Sequence, residues 1–122
     1  MKFYKCEKCG KIIAIVKEKS CDTFCCNEPM KELVPNTVDA ATEKHVPTFV
    51  VEGNKVKVTV GSVEHPMTEE HLIEWVSLET KQGNQRKVLT AGKEPKICFS
   101  MCEGDEVKNV YAYCNLHGLW KA

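Results

Sequence analysis

Eight cysteines and four histidines are the residues of this sequence whose types and positions could do chemistry. Thiolate and imidazole are side-chain groups that bind transition metals readily. Five of the cysteines lie within positions 6–26 and three near the other end, while the histidines all lie between positions 45 and 117. The sequence therefore predicts two separate metal sites, one made of sulfur alone and one rich in imidazole.

The first group combines a Cys6-x-x-Cys9-Gly10 turn with the adjacent pair Cys25-Cys26. Four thiolates make a tetrahedral site that suits zinc or a mononuclear iron, and spacing alone does not choose between them. Adjacent cysteines point to opposite sides of an extended chain, so both reach one ion only where the chain bends. Disulfides are the less favoured alternative, because a Cys25–Cys26 bridge would be strained and a reducing cytosol disfavours it.

The histidines occur in three short segments. These are Glu43-Lys44-His45-Val46-Pro47, His65-Pro66-Met67-x-x-x-His71 and Cys114-Asn115-x-His117-Gly118. A single histidine is more often structural than a ligand. Taken together, however, the segments place histidines at turn-forming pairs and a cysteine three residues before His117, a spacing that lets both side chains reach one ion.

The elements that must position these residues are mostly strands. Alternating patterns of period two predict strands around Val56–Val60, Ile97–Met101 and Val110–Cys114. Turn signals at Gly53-Asn54, Gly61, Gly83-Asn84, Gly92 and Gly104-Asp105 separate them, as in an antiparallel sandwich. The cap-like Asn36-Thr37-Val38-Asp39 predicts one short helical turn through Ala40 and Ala41, which leaves Glu43-Lys44-His45 on a loop before Pro47.

Two domains are expected, over residues 1–36 and 37–122. The first holds an aliphatic strand from Ile12 to Val16 and too little apolar surface to fold without a metal. The second has enough alternating sequence for a modest core of its own.

Composition excludes several classes of function. The chain has 122 residues, 43% hydrophobic and 28% charged, which is typical of a folded globular protein. Seventeen basic and seventeen acidic residues give a net charge of zero, which argues against nucleic acid and anionic membranes as partners. Because no apolar segment follows the N-terminal lysines, we expect a cytoplasmic protein.

The motifs quoted above resemble the desulfoferrodoxins, the two-iron superoxide reductases, along the whole chain. The Cys-Cys-x-x-Pro-Met segment is similar to desulforedoxin, whose four cysteines hold iron. The resemblance implies a mainly β fold, with a desulforedoxin-like domain followed by an immunoglobulin-like antiparallel β-sandwich. It implies a first iron bound by Cys6, Cys9, Cys25 and Cys26, with Cys21 a free thiol. It implies a second iron with Cys114 as axial ligand and, as equatorial ligands, His45, His65, His71 and His117.

The same resemblance implies an activity, the one-electron reduction of superoxide to hydrogen peroxide. Four imidazoles and one thiolate would leave iron five-coordinate, with a position open to a small oxidant. Lys44 is expected to attract the superoxide anion and to order the water that supplies protons, and Glu43 to close the open position after electron transfer. A rubredoxin-like electron donor and a homodimer are also expected.

Two other functions stay open at this point. A zinc-ribbon binding module with a partner-recognising sandwich would leave the five ligands of the second site unexplained. A non-catalytic electron-transfer protein would need Glu43 to close that site permanently.

Residues around the second site have expected minor roles. The amides of Asn115 and Leu116 are expected near the Cys114 sulfur, where they would tune its donation. Core or site-lining positions are expected for Trp75, Trp120, Phe49 and Phe99. Cys98 and Cys102 are interpreted as small apolar fillers or free thiols.

Overall fold

The computed structural model describes all of residues 1–122, which form two compact units, Met1–Val34 and Pro35–Ala122. Twelve short strands and a single helical turn make up the regular structure. The prediction of a mainly β chain with antiparallel sheets is therefore confirmed. None of its helical structure is long and apolar enough to cross a lipid bilayer.

The first unit consists of a three-stranded antiparallel sheet and a small hairpin. The sheet has the order β2-β1-β5 and the hairpin pairs β3 with β4. Its strands are β1 (Lys2–Lys5), β2 (Ile12–Ile15), β3 (Phe24–Cys25), β4 (Glu28–Pro29) and β5 (Lys31–Glu32). Only Phe3, Cys6 and Met30 are buried among its hydrophobic residues. Three buried side chains stabilise a fold weakly, so a bound metal is needed to hold this unit together.

The second unit is an antiparallel sandwich of a three-stranded and a four-stranded sheet. The strand orders are β10-β7-β6 and β12-β11-β8-β9. The elements are α1 (Thr42–His45), β6 (Pro47–Glu52), β7 (Lys55–Val60), β8 (Ile73–Thr80), β9 (Gly83–Val88), β10 (Lys96–Ser100), β11 (Val107–Cys114) and β12 (Gly118–Lys121).

The core of the sandwich lies between the two sheets. The alternation of β7 turns Val56, Val58 and Val60 inward, where none is more than 1% exposed. From the facing sheet come Ile73, Val76, Leu78, Val110, Ala112 and Cys114, each fully buried. Cys114 thus belongs to the same cluster as the aliphatic core, so its sulfur is fixed by packing as well as by the strand.

The predicted helical turn at Asn36–Ala41 is wrong, because the helix begins at Thr42 and ends at His45. Asn36 does not cap a helix. Its backbone N–H bonds to Leu119 O at 3.0 Å, and its side-chain amide bonds to both the N–H and the carbonyl of Lys121, at 2.9 and 3.2 Å. These bonds use the groups that would have capped a helix, and they tie the segment to β12 instead.

Two smaller expectations also fail. Gly83-Asn84 is not a turn but the start of β9, since the turn before it is formed by Lys81 and Gln82. Phe49 is not in the core, because every residue of edge strand β6 after Pro47 is exposed and Phe49 itself remains 40% exposed.

Candidate metal centres

The four-cysteine cluster is built from two tight turns. Cys6 follows β1, and the turn after it is closed by a bond from the Gly10 N–H to the Cys6 carbonyl at 2.9 Å, with Gly10 at φ +82°. Cys25 ends β3 and pairs with Glu28 across a two-residue turn. Both residues of that turn, Cys26 and Asn27, have positive φ, at 52° and 62°. This left-handed bend is what lets adjacent cysteines reach one point.

The sulfur separations in this cluster fit a tetrahedral metal site. Cys25 Sγ lies 3.7 Å from Cys9 Sγ and 3.9 Å from Cys26 Sγ, and all eight cysteines of the chain are free. Metal–sulfur bonds of ~2.3 Å at the tetrahedral angle place sulfurs about 3.8 Å apart. A disulfide would need about 2.05 Å. The ligand atoms of Cys6, Cys9, Cys25 and Cys26 all lie within 4.8 Å of one another.

The electrostatics of the cluster also favour a cation. The backbone amides of Cys9 and Lys8 donate to Cys6 and lower its pKa to about 7. Hydrogen bonds that the Cys26 thiol donates to Cys9 and Cys25 raise its pKa to about 12, and bonds with Cys6 and Cys9 raise the pKa of Cys25. One thiol thus ionises easily and holds the others protonated, so only a bound cation would allow four thiolates side by side.

The second cluster is a closed ring of four imidazoles. Neighbouring ring centroids lie 4.6 Å apart for His45–His65 and His65–His71, 5.1 Å for His71–His117 and 4.9 Å for His45–His117. Each neighbouring pair is nearly perpendicular, at 77° to 88°, whereas His45 and His71 face each other at 6.2 Å and 30°. The four rings lie at the corners of a square, with His45 opposite His71 and His65 opposite His117.

Hydrogen bonds fix the tautomers of two of these rings. His45 Nδ1 lies 2.7 Å from the Ala41 carbonyl and His65 Nδ1 lies 2.6 Å from the Pro66 carbonyl. A carbonyl only accepts, so both Nδ1 atoms carry the proton. Burial lowers the pKa of His65 to about 4 and also lowers the pKa of His45, so both rings are neutral near pH 7. Both Nε2 atoms therefore present bare lone pairs.

The Nε2 lone pairs of His45 and His65 face each other, an arrangement that fits a metal ion bound between them. His45 Nε2 lies 3.1 Å from His65 Nε2 and 3.1 Å from His117 Nδ1, and the buried Nε2 of His71 has no hydrogen-bond partner. Metal–nitrogen bonds of ~2.1 Å at right angles place neighbouring nitrogens about 3.0 Å apart. Two acceptors at this distance repel each other unless a cation lies between them.

Cys114 supplies the sulfur beside the ring. The register between β11 and β8 shifts between Tyr113 and Cys114, and such a bulge redirects a side chain at the end of a strand. The Cys114 Sγ then lies 3.9 Å from His117 Nδ1. Ligand atoms of His45, His65, His71 and Cys114 are all within 4.8 Å of one another. Imidazole with thiolate is a donor set for a transition metal rather than for calcium or magnesium.

Backbone amides reach the Cys114 sulfur, but one of them differs from the expectation. Burial raises the pKa of the Cys114 thiol, while hydrogen bonds from the amides of Leu116 and His117 lower it. The amide of Asn115 does not take part, because it donates to the Leu72 carbonyl at 3.2 Å and so continues the pairing with β8. The two amides stabilise the negative charge of the thiolate in part, and a bound metal cation would stabilise it further.

Glu43 and Lys44 lie in α1, directly before His45, and both side chains are exposed. Their backbone is held in place, since the Glu43 carbonyl accepts the Val63 N–H at 3.0 Å and the Ser62 hydroxyl at 3.3 Å. The positive charge of Lys44 contributes to lowering the pKa of both His45 and His71. The Lys44 charge therefore lies close enough to act electrostatically on two of the four imidazoles.

Trp120 has a role that sequence reasoning left undecided between core and site. Its ring stacks on His45 at 4.9 Å and 29°, and its Nε1 donates to the His117 carbonyl at 3.0 Å. The Trp120 side chain thus supports two of the four histidines. Its position in the Cys-Asn-x-His-Gly-x-Trp segment is the sequence feature that could have indicated this role. Cys21, Cys98 and Cys102 are exposed free thiols outside both clusters, so the free-thiol interpretation holds for all three and the apolar-filler alternative for the last two is wrong.

Comparison with known proteins agrees with both clusters. The family model described as desulfoferrodoxin matches residues 37–122, and that of the desulfoferrodoxin N-terminal domain matches residues 1–33. A desulfoferrodoxin homolog of Archaeoglobus fulgidus is 46% identical over all of this chain and 96% of its own length. The crystal structure of the superoxide reductase from Treponema pallidum is 41% identical with a TM-score of 0.82, covering 93% of each chain.

A shorter relative matches only part of the chain. The superoxide reductase of Giardia intestinalis, named as a one-iron form, is 36% identical with a TM-score of 0.55 and covers 66% of this chain and 95% of its own. Matches of both family models and full-length relatives above 40% identity leave no doubt about kinship. The chain belongs to the desulfoferrodoxin family.

Proposed function

We propose that this protein is a superoxide reductase, which adds one electron and two protons to superoxide and releases hydrogen peroxide without forming dioxygen. The observation that carries the proposal is the square of four imidazoles beside the buried thiol of Cys114. The family and the superoxide reductases among its relatives support the same activity.

The proposal assigns two mononuclear iron ions to the chain. The ligands of the first are Cys6, Cys9, Cys25 and Cys26, and those of the second are His45, His65, His71, His117 and Cys114. When bound at the second centre, iron supplies the single electron and one open coordination position. The neutral imidazoles of His45 and His65, each held by a bond from Nδ1 to a carbonyl, and the sulfur held by two amides keep these ligand atoms in place without rearrangement.

Lys44 is the residue assigned to substrate capture. Superoxide is an anion, and the chain as a whole has a net charge of zero, so attraction must come from a local charge. The exposed Lys44 ammonium acts electrostatically on the cluster of four imidazoles, and Lys44 directly precedes His45 in the chain. The same ammonium orders the solvent water that delivers the two protons.

Glu43 is assigned to the end of the turnover. Its carboxylate is exposed beside Lys44, on a backbone anchored by Ser62 and Val63. With iron bound at the second centre, this carboxylate would be the group that closes the open coordination position. A non-catalytic electron-transfer protein would need the same carboxylate to close the site permanently, and its solvent exposure favours the catalytic interpretation.

The four-cysteine iron, the partners and the compartment complete the proposal. The first centre stores an electron or stabilises its small unit, and a small rubredoxin-like protein supplies electrons. A homodimer is supported by the exposed apolar side chains of edge strand β6, Val50 at 58% and Val51 at 49%. The eight free thiols support a reducing cytoplasm.

Rapid mixing of the fully reduced, iron-loaded chain with superoxide tests the proposal. We expect second-order oxidation of the histidine-bound iron at ~10⁸–10⁹ M⁻¹ s⁻¹, the range of electrostatically assisted encounters. A variant carrying Cys98→Ser and Cys102→Ser is the control for thiol oxidation and should react at the same rate. A histidine-bound iron that stays reduced in excess superoxide would refute the proposal.

A further inference from the structure

Asn115 links the two loops that carry His71 and Cys114. Its Oδ1 accepts the Leu72 N–H at 3.0 Å, and its Nδ2 donates to the Glu70 carbonyl at 3.0 Å. Its own backbone N–H donates to the Leu72 carbonyl at 3.2 Å. One residue, adjacent to Cys114, therefore grips the backbone on both sides of His71.

These bonds join distant parts of the chain. The two side-chain bonds span 45 and 43 residues of sequence and extend the backbone pairing of Cys114 with Ile73 past the end of the sheet. Residues 68–72 form the loop directly before β8. Apart from the bonds to Asn115, the backbone of this loop bonds only within itself, between Thr68 and His71. On the Glu70 side of His71, the bond from the Asn115 side chain is therefore the tie between this loop and the Cys114 loop.

His71 needs such support more than its neighbours do. His45 and His65 are each held by a short bond from Nδ1 to a carbonyl, at 2.7 and 2.6 Å. His71 has no such bond at Nδ1, and its buried Nε2 has no hydrogen-bond partner in the protein either. The position of the His71 ring therefore depends on the backbone of Glu70 and Leu72, which Asn115 holds by hydrogen bonds.

We propose that Asn115 is a positioning residue that sets His71 against Cys114 and thereby raises the affinity of the second centre for metal. The inference rests on the proposed function in one respect, that His71 and Cys114 are ligands of one ion. Partners of this kind are worth ~10–100-fold in metal affinity. A residue that merely stabilised the loop would act on affinity whether or not His71 is present.

A double-mutant cycle separates these roles. Binding of Co²⁺ to the second centre is measured by competition with a chelator in the full chain, for wild type, Asn115→Ala, His71→Ala and the double variant. We expect Asn115→Ala to weaken binding ~10–100-fold in the presence of His71, and by less than about 2-fold in the His71→Ala background. Asn109→Ala is the matched control, since Asn109 lies on β11, the strand that Asn115 follows, and its amide donates to Glu79 at 2.7 Å, so binding should be unchanged.

Folding is checked in the same samples, because the two tryptophans of the chain, Trp75 and Trp120, both report on the second unit. If Asn115→Ala shows no cooperative unfolding, Asn115→Gln replaces it, since its longer amide keeps the polarity but does not reach both partners. Equal weakening in both backgrounds, or none in either, overturns the inference. A wild-type second centre that ignores Co²⁺, or a His71→Ala variant with full affinity, overturns the ligand assignment as well.

Discussion

Gly61 is the position where the smallest change should disturb the second centre most. Its φ is +86°, and its N–H donates to the Val46 carbonyl at 3.1 Å, directly after α1. A Cβ at this position would lie 2.7 Å from the Lys44 carbonyl oxygen and 2.8 Å from its carbon, and would also overlap the Val63 carbonyl. These are backbone atoms, so Gly61→Ala must displace the chain segment that places Lys44 and His45.

Gly104 provides a matched control, because its φ is also +86° but nothing lies within 4 Å of its added Cβ. Gly104→Ala should therefore show only the strain of the left-handed backbone, about 1 kcal/mol after the smaller entropy of the unfolded alanine chain is included. Gly61→Ala adds an overlap of about 2 kcal/mol, for a total of about 3 kcal/mol.

Urea unfolding of the metal-free chain, followed by tryptophan fluorescence, measures both losses of stability. Co²⁺ affinity of the second centre is measured alongside, and we expect it to fall by about 10-fold or more for Gly61→Ala alone, since His45 moves with Lys44. Equal losses of stability and unchanged Co²⁺ affinity in the two variants would refute the reasoning from the close approach.

Three further predictions concern Lys44, Trp120 and His65. Lys44→Ala should slow superoxide capture by about 10-fold at low ionic strength and flatten the salt dependence of the rate. Lys44→Arg should keep the wild-type rate and salt dependence. An unchanged rate and salt slope in Lys44→Ala would remove Lys44 from the mechanism. Trp120→Phe keeps a ring against His45 but loses the donor to the His117 carbonyl, so Co²⁺ should dissociate about 10-fold more easily, and an unchanged affinity would contradict this support. Because burial lowers the pKa of His65 to about 4, the unfolded chain takes up this proton first as the pH falls. The His65 contribution to the unfolding free energy of the metal-free second unit should be complete above about pH 6.5 and should be lost as the pH drops toward 4, which urea titrations at several pH values check.

Most of the fold could be predicted because its signals are local. The alternation in β7 and the Gly53-Asn54 turn identify their elements without tertiary information. The helix could not be placed, because the choice between Asn36 capping a helix and Asn36 pairing with β12 depends on a strand more than 80 residues away. Phe49 was misplaced for a similar reason, since its sequence pattern does not say that β6 lies at the edge of its sheet.

The residues of both clusters were accessible from motif and resemblance, but their arrangement was not. Spacing does not tell that His45 lies opposite His71, nor that Cys26 and Asn27 both adopt positive φ. It also does not reveal which amide reaches a sulfur, because the Asn115 N–H is already used by the pairing with Leu72. Such choices are made by competition among backbone partners, which only the assembled structure resolves.

Product stoichiometry tests the central claim most directly. The reduced, iron-loaded protein is given known amounts of superoxide, and hydrogen peroxide and dioxygen are measured together. Reduction at the histidine centre predicts one hydrogen peroxide for each superoxide consumed and no dioxygen, with one electron drawn from the protein each time. Half a hydrogen peroxide and half a dioxygen per superoxide, with the iron left reduced, would show dismutation and contradict the account.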